Sequence, residues 1–275
     1  MYKLLRSNLL PYVRDRVQAR LFLPMALFLV LAAEASGLAP SSSASTSVGL
    51  LQWPIMLLLS YSMILQWRLW DDLKDRDHDQ EKHPGRLLCQ TSDIKPYYTV
   101  LLILMLCNGL AVLLYQENAV RGAAYLATYA AATLFFFCWY RWRPASAAQG
   151  LTNSHLILLK YPLISWLIAG QTQHPLILIS VYLSCLALEF SHDRVLRKKY
   201  SPVLGGYLAV LFACWLYIIM MTTNMPLFQW IHSVLLAGVA VYYIMLFRRY
   251  SLYLSYGLII ISSLIYLTLI IEKIQ

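Results

Sequence analysis

Long apolar runs constrain this chain more than any other feature. Stretches of close to twenty predominantly apolar residues recur at about 21–38, 49–70, 97–115, 119–140, 155–170, 175–190, 203–222, 227–247 and 252–271. A helix needs about twenty such residues to cross hydrocarbon. Backbone amides find no water there, so a spanning segment of this kind has to be helical. The runs predict an all-α fold, a polytopic membrane bundle of nine transmembrane helices, built as a single domain over residues 1–275. Composition points the same way: 60% of the residues are hydrophobic and 13% are charged, more apolar sequence than a soluble core of this size uses. Runs five and six are the shortest and carry polar residues. Lys3, Arg6, Arg14, Arg16 and Arg20 precede the first run with no clear cleavage pattern, so no cleavable signal peptide is expected.

Basic residues give an orientation. With the N-terminus inside, residues 1–20 and the segments after runs two, four, six and eight face the cytoplasm. They hold nineteen of the twenty-two Lys and Arg, leaving Arg121 and Lys273 outside and Lys160 within run five. The positive-inside bias then predicts a cytoplasmic N-terminus, an external C-terminus and a multi-pass protein of a bacterial inner (plasma) membrane. The formal charge of +9 follows from that bias. It does not indicate nucleic-acid binding, because no soluble domain is present to carry a basic groove. Cys89, Cys107, Cys138, Cys185 and Cys214 are scattered with no C-x-x-C pair, which predicts neither a disulfide framework nor a zinc site.

Acidic residues are concentrated where run two ends. Seven of the thirteen fall between Asp71 and Asp93. Asp71, Asp75 and Asp79 are spaced i, i+4, i+8, so a continuing helix stacks three carboxylates on one face. Carboxylates this close repel one another unless a cation neutralises them, and an all-oxygen set suits a hard cation such as Mg²⁺. Glu189 and Asp193 form a second i, i+4 pair at the end of run six. On the orientation above, both sets reach one membrane face and look like a shared metal site. Lys and Arg follow each set: Lys82 and Arg86 after the first, Arg194, Arg197, Lys198 and Lys199 after the second. Such groups can take diphosphate oxygens. Lys160 lies mid-run, where an unpaired ammonium is costly and is expected to face a cavity.

These residues carry a family resemblance. Asp71-Asp72-x-x-Asp75-x-x-x-Asp79 with His83-Pro84-Gly85-Arg86-Leu87 resembles the first Asp-rich motif of the UbiA superfamily of intramembrane prenyltransferases, and Glu189-x-x-x-Asp193 resembles the end of the second. Span number, chain length and motif placement are similar too. Asp71 stands where the family has Asn, Glu189 where it has Asp, and the Arg-Pro-Leu loop reads Arg86-Leu87-Leu88. Tyr182 and Cys185 stand where quinone-pathway members tend to have Asp and Tyr.

The resemblance implies Mg²⁺-dependent transfer of a prenyl group from an isoprenyl diphosphate to a lipophilic acceptor, aromatic or a quinone precursor, with membrane lipid around the site. It implies Asp71, Asp75 and Asp79 on one ion and Glu189 and Asp193 on another. Arg68, Lys82, Arg86, Lys160 and Arg197 would hold diphosphate, and Asp75, Asp193, Arg86 and Lys160 would be catalytic. Trp67, Trp70, Trp139, Tyr140 and Tyr161 offer ring faces to a carbocation. A terpene cyclase on the same scaffold would ionise the same substrate without an acceptor. A phosphatidyltransferase needs Asp-Gly and Ala-Arg within its motif, which are missing here. A transporter would place acids mid-span, and a structural subunit has no use for two carboxylate sets.

Overall fold

The structure, a computed structural model, describes residues 10–17, 19–36, 52–116, 118–142, 151–169, 175–192, 201–222 and 251–274. Every regular element among them is helical. In chain order these are α1 (Leu10–Arg16), α2 (Ala19–Ser36), α3 (Gln52–Lys74), α4 (Arg76–Lys82), α5 (Leu87–Gln90), α6 (Lys95–Tyr115), α7 (Ala119–Trp142), α8 (Leu151–Leu158), α9 (Lys160–Ile168), α10 (Pro175–His192), α11 (Ser201–Thr222) and α12 (Ser251–Ile274). Seven of the nine apolar runs contain a single long helix, and run five contains two short ones. Run eight, 227–247, lies outside the described residues. Among those residues, two helices, α6 and α7, are long and apolar enough to cross a membrane. A third crossing is counted if the bent pair Leu10–Arg16 and Leu21–Ser36 forms one span.

The chain divides into two compact units, Met1–Leu27 with Val48–Arg143, and Phe28–Ser47 with Pro144–Gln275. In the first, α3 packs on α6, and α6 on α7. Helix α3 is buried along most of its second half, from Met63 to Leu73 with Arg68 half-buried. Helix α6 buries Val100, Leu101, Asn108 and Val112 and leaves Leu102, Leu106, Leu110 and Leu114 more than half exposed. A stripe of leucines four residues apart facing outward is what lipid-facing packing requires, whereas a water-facing helix would carry polar groups there. Gly122 lets α7 come close to α6: a Cβ there would meet the Leu113 carbonyl oxygen at 2.6 Å. The inner contact is polar. Ser62 donates to Asn108 Oδ1 at 2.8 Å, Asn108 Nδ2 donates to Gln66 Oε1 at 2.8 Å, and the Tyr129 hydroxyl lies 2.7 Å from the same Gln66 oxygen.

In the second unit α10 packs against α8, α9, α11 and α12. Its serines are satisfied by carbonyls one turn back, as hydroxyls in apolar surroundings must be. Ser180 donates to the Ile177 carbonyl at 2.8 Å and Ser184 to the Ser180 carbonyl at 2.8 Å. Both also meet α12, Ser180 through the Tyr266 hydroxyl and Ser184 through Ser262 at 3.2 Å. Run five is broken at Leu159, between α8 and α9. Pro162 has no N–H to give the Leu158 carbonyl, which leaves the i→i−4 ladder open at this point. The Leu159 N–H bonds instead to Leu156, three residues back, at 3.3 Å.

Candidate functional site

The acidic segment begins where α3 leaves its aromatic packing. Trp67 and Trp70 stack with centroids 5.5 Å apart, Phe136 of α7 meets Trp67 edge-on at 4.8 Å, and Tyr140 lies 5.6 Å from Trp70. Asp71 follows directly, buried, and accepts a hydrogen bond from the Tyr140 hydroxyl. Asp75 interrupts the helix locally, with φ −92° and ψ 3°. The i→i−4 backbone bonds nevertheless run on: Asp75 N–H to the Asp71 carbonyl at 2.9 Å, Asp79 to Asp75 at 2.8 Å, and His83 to Asp79 at 2.7 Å. The expected column of Asp71, Asp75 and Asp79 is therefore present in the backbone, on one face across the junction of α3 and α4. Asp75 is half-buried at the junction, and Asp79 is buried and ion-paired to Arg86. Lys82 is exposed. Arg76 fixes the following segment by donating to the Leu88 and Thr91 carbonyls, each at 3.0 Å.

Asp72 is engaged by three side chains. Arg16 of α1 grips it as a fork, Nε to Oδ2 at 2.9 Å and Nη2 to Oδ1 at 2.8 Å. The Tyr12 hydroxyl donates to Oδ2 at 2.8 Å, and Arg68, one turn back on α3, stands 3.3 Å from Oδ1. Burial alone would raise the Asp72 carboxyl, but the Arg68 and Arg16 guanidiniums and the hydrogen bonds from Arg16 and Tyr12 outweigh it. The group is held below the usual carboxylate value. Tyr12 moves the opposite way, pushed well up first by burial and then by the Asp72 charge.

In the second unit Lys160 opens α9 and is buried, with Nζ 5.7 Å from the Tyr161 ring centroid. Glu189 is half-buried near the end of α10. Asp193, Arg194 and Arg197 lie outside the described residues. The donors along the first column fit a hard cation by type, since all are carboxylate oxygens. Asp71 and Asp79 are, however, drawn toward Tyr140 and Arg86 respectively. Among the described residues no three His, Cys, Asp or Glu are gathered to hold a metal ion.

Several site residues escape the motif reading. The centrality of Asp72, and its partners Tyr12 and Arg16, come from tertiary contacts. Partial signals exist: Arg68 and Asp72 are an i, i+4 pair, and so are Tyr12 and Arg16. Beside Trp70, α6 and α7 line an apolar groove of about 590 Å³ with Met105, Gly109, Leu113, Leu126 and Tyr129 on its walls. No protein-family model, curated protein or solved structure matches this chain.

Proposed function

We propose that this chain is a membrane-embedded prenyltransferase of the UbiA type, moving a prenyl group from an isoprenyl diphosphate to a lipophilic aromatic or quinone-precursor acceptor. The observation that carries the reading is the carboxylate column. Asp71, Asp75 and Asp79 follow one another at successive backbone hydrogen bonds, directly after an aromatic, apolar helix end. On this reading the nine runs are nine crossings of a bacterial inner membrane, with the N-terminus in the cytoplasm and the C-terminus outside.

Asp71, Asp75 and Asp79 would hold Mg²⁺ in the first unit, and Glu189 with Asp193 in the second. Bound Mg²⁺ would supply positive charge to the diphosphate as the allylic C–O bond breaks. Arg68, Lys82, Arg86, Lys160 and Arg197 would take diphosphate oxygens that remain. The ion pair with Asp79 presents the Arg86 fork at the end of the column. The prenyl chain needs an apolar channel, and the groove that starts at Trp70, one residue from Asp71, has the lining and the volume for one. The packed rings of Trp67, Trp70, Phe136 and Tyr140 would keep water from that end of the column and supply electron-rich surroundings for developing positive charge.

The test is incubation of the bilayer-embedded protein with labelled farnesyl or geranylgeranyl diphosphate, Mg²⁺ and a panel of lipophilic aromatic acceptors. Diphosphate release and a prenylated product are expected. Asp75→Ala and Asp193→Ala should each lower release by about a hundredfold or more, the scale of losing one transition-state charge partner. Wild-type release in both variants would falsify the assigned roles, and a cyclised product formed without acceptor would turn the reading to a cyclase.

A further inference from the structure

The cations beside the carboxylate column fall into two groups. Arg16 and Arg68 are held by Asp72, Arg86 by Asp79, and Arg76 by the Leu88 and Thr91 carbonyls. Lys74 and Arg141 are both exposed and make no ion pair among the described residues. Positive-inside bias accounts for cations near one membrane face. It does not account for where these two stand. Lys74 is one turn past Trp70 on α3, and Arg141 is one turn past Phe137 on α7. Trp70 and Phe137 are wall residues of the apolar groove between α6 and α7. Each cation therefore continues a groove-lining face beyond the end nearest the column. The two helices touch at that level: the Trp70 and Tyr140 rings lie 5.6 Å apart, and the Tyr140 hydroxyl reaches Asp71.

On α7 the groove wall runs from Leu126 to Phe137, about 16 Å of helix at 1.5 Å per residue. Its far end is pinched. Leu113 is the last α6 residue on the wall, and Gly122 brings α7 so close to it that a Cβ would meet the Leu113 carbonyl oxygen at 2.6 Å. The near end opens at Trp70, below the two cations. Trp142, beside Arg141, is 73% exposed, as an indole at a bilayer interface is. A slot closed at one end, apolar along its length and flanked by two cations at its mouth fits an amphiphile with an anionic head and a short apolar tail. Two features favour an isoprenyl diphosphate over a bilayer phospholipid. Two cations without ion pairs match the charge of a diphosphate better than the single charge of a phosphodiester. The mouth is also one residue from Asp71, at the start of the carboxylate column.

We propose that Lys74 and Arg141 bind the diphosphate at the mouth of the α6–α7 groove, and that the substrate is a short-chain isoprenyl diphosphate of the farnesyl class whose tail lies along the groove toward Gly122. The inference rests on the prenyl-transfer reading and adds two contacts and a chain length to it. In this placement the head lies level with Asp71, and the scissile C–O bond lies beside the Trp70 and Tyr140 rings. An extended farnesyl tail is comparable in length with the lined stretch and ends before the pinch. A solanesyl tail is far longer and has to bend out of the groove into lipid, losing its contacts with the wall. Ala130 is an exposed wall residue part-way along the slot. A bulky side chain there shortens the space without touching the cations.

The test uses the full chain in bilayers of zwitterionic phospholipid, with Mg²⁺ and labelled geranyl, farnesyl and solanesyl diphosphates. Equilibrium binding is read first and diphosphate release second. Wild-type protein should bind farnesyl diphosphate most tightly. Lys74→Gln and Arg141→Gln should each weaken binding of all three chains about tenfold, the scale of one lost hydrogen bond to a charged group. Both residues are exposed, so neither change disturbs packing, and Arg141→Lys should restore most of the loss. Ala130→Phe should move the preference from farnesyl to geranyl diphosphate. Unaltered farnesyl binding in the Lys74→Gln, Arg141→Gln double variant, or an unaltered chain preference in Ala130→Phe, overturns the placement. So does competition by phosphatidylglycerol that disappears in the double variant, which assigns the groove to bilayer lipid. Binding that follows these variants with no diphosphate release defeats the prenyl-transfer reading alone. Release that none of the variants alters defeats the placement alone, and a wild-type protein that binds none of the three diphosphates defeats both.

Discussion

In the first unit the ion-paired groups are gathered at the end of one helix, where Asp72 holds two guanidiniums and a phenol and Asp79 holds a third guanidinium. In the second they are mostly neutral hydroxyls and an imidazole spread along α10, each meeting a partner from a neighbouring helix. The difference is one of consequence under change. A buried ion pair gains little net stability, because desolvation offsets attraction, but losing one partner leaves an uncompensated charge. A neutral hydroxyl pair gains and loses about 1 kcal/mol. The first arrangement is rigid and brittle; the second tolerates rearrangement of protons and of bonds.

Substitutions test that contrast directly. Asp72→Ala should be the most damaging, destabilising by about 3–5 kcal/mol as Arg16 and Tyr12 lose their shared anchor, measured by thermal unfolding in detergent micelles. If it costs no more than a hydroxyl deletion, the contrast fails. Acid probes the same contact. Because the Asp72 carboxyl is held below its ordinary value, its contribution is complete above the unfolded value of about 3.9. It is lost only as pH falls through the lower folded value. Amide hydrogen exchange in α1 should therefore stay protected at pH 5 and rise only at pH below about 3.9. Gln66→Leu comes next, costing about 1–3 kcal/mol because Asn108 and Tyr129 lose a buried acceptor. Ser180→Ala should be mildest, about 1 kcal/mol, since Tyr266 keeps its packing on Phe28 at 5.7 Å.

Helix content was legible because apolar runs of this length leave the backbone no alternative, and α6 and α7 match their runs within a few residues. The break in run five was half legible: Pro162 is in plain view, but hydrophobicity counting passes over it. The register of Asp71, Asp75 and Asp79 was also readable, since spacing alone places them on one face. What spacing leaves open is which carboxylate attracts which partner. Tyr12 and Arg16 reach Asp72 from fifty-six to sixty residues away, a contact made by packing rather than by local pattern. Tyr207 reaches His155 the same way, across 52 residues. A solitary histidine at the start of an apolar run gives no sign that two phenols will close on it.

Pro162 also settles where the ammonium of Lys160 is delivered. By withholding one amide proton the ring ends α8 and begins α9 two residues before itself, so the cation arrives at a helix start instead of mid-helix. That is an electrostatically unfavourable berth, because the partial positive charge of a helix start adds to its own. Pro162→Ala, by restoring the missing amide proton, would close that break while leaving the lysine itself untouched.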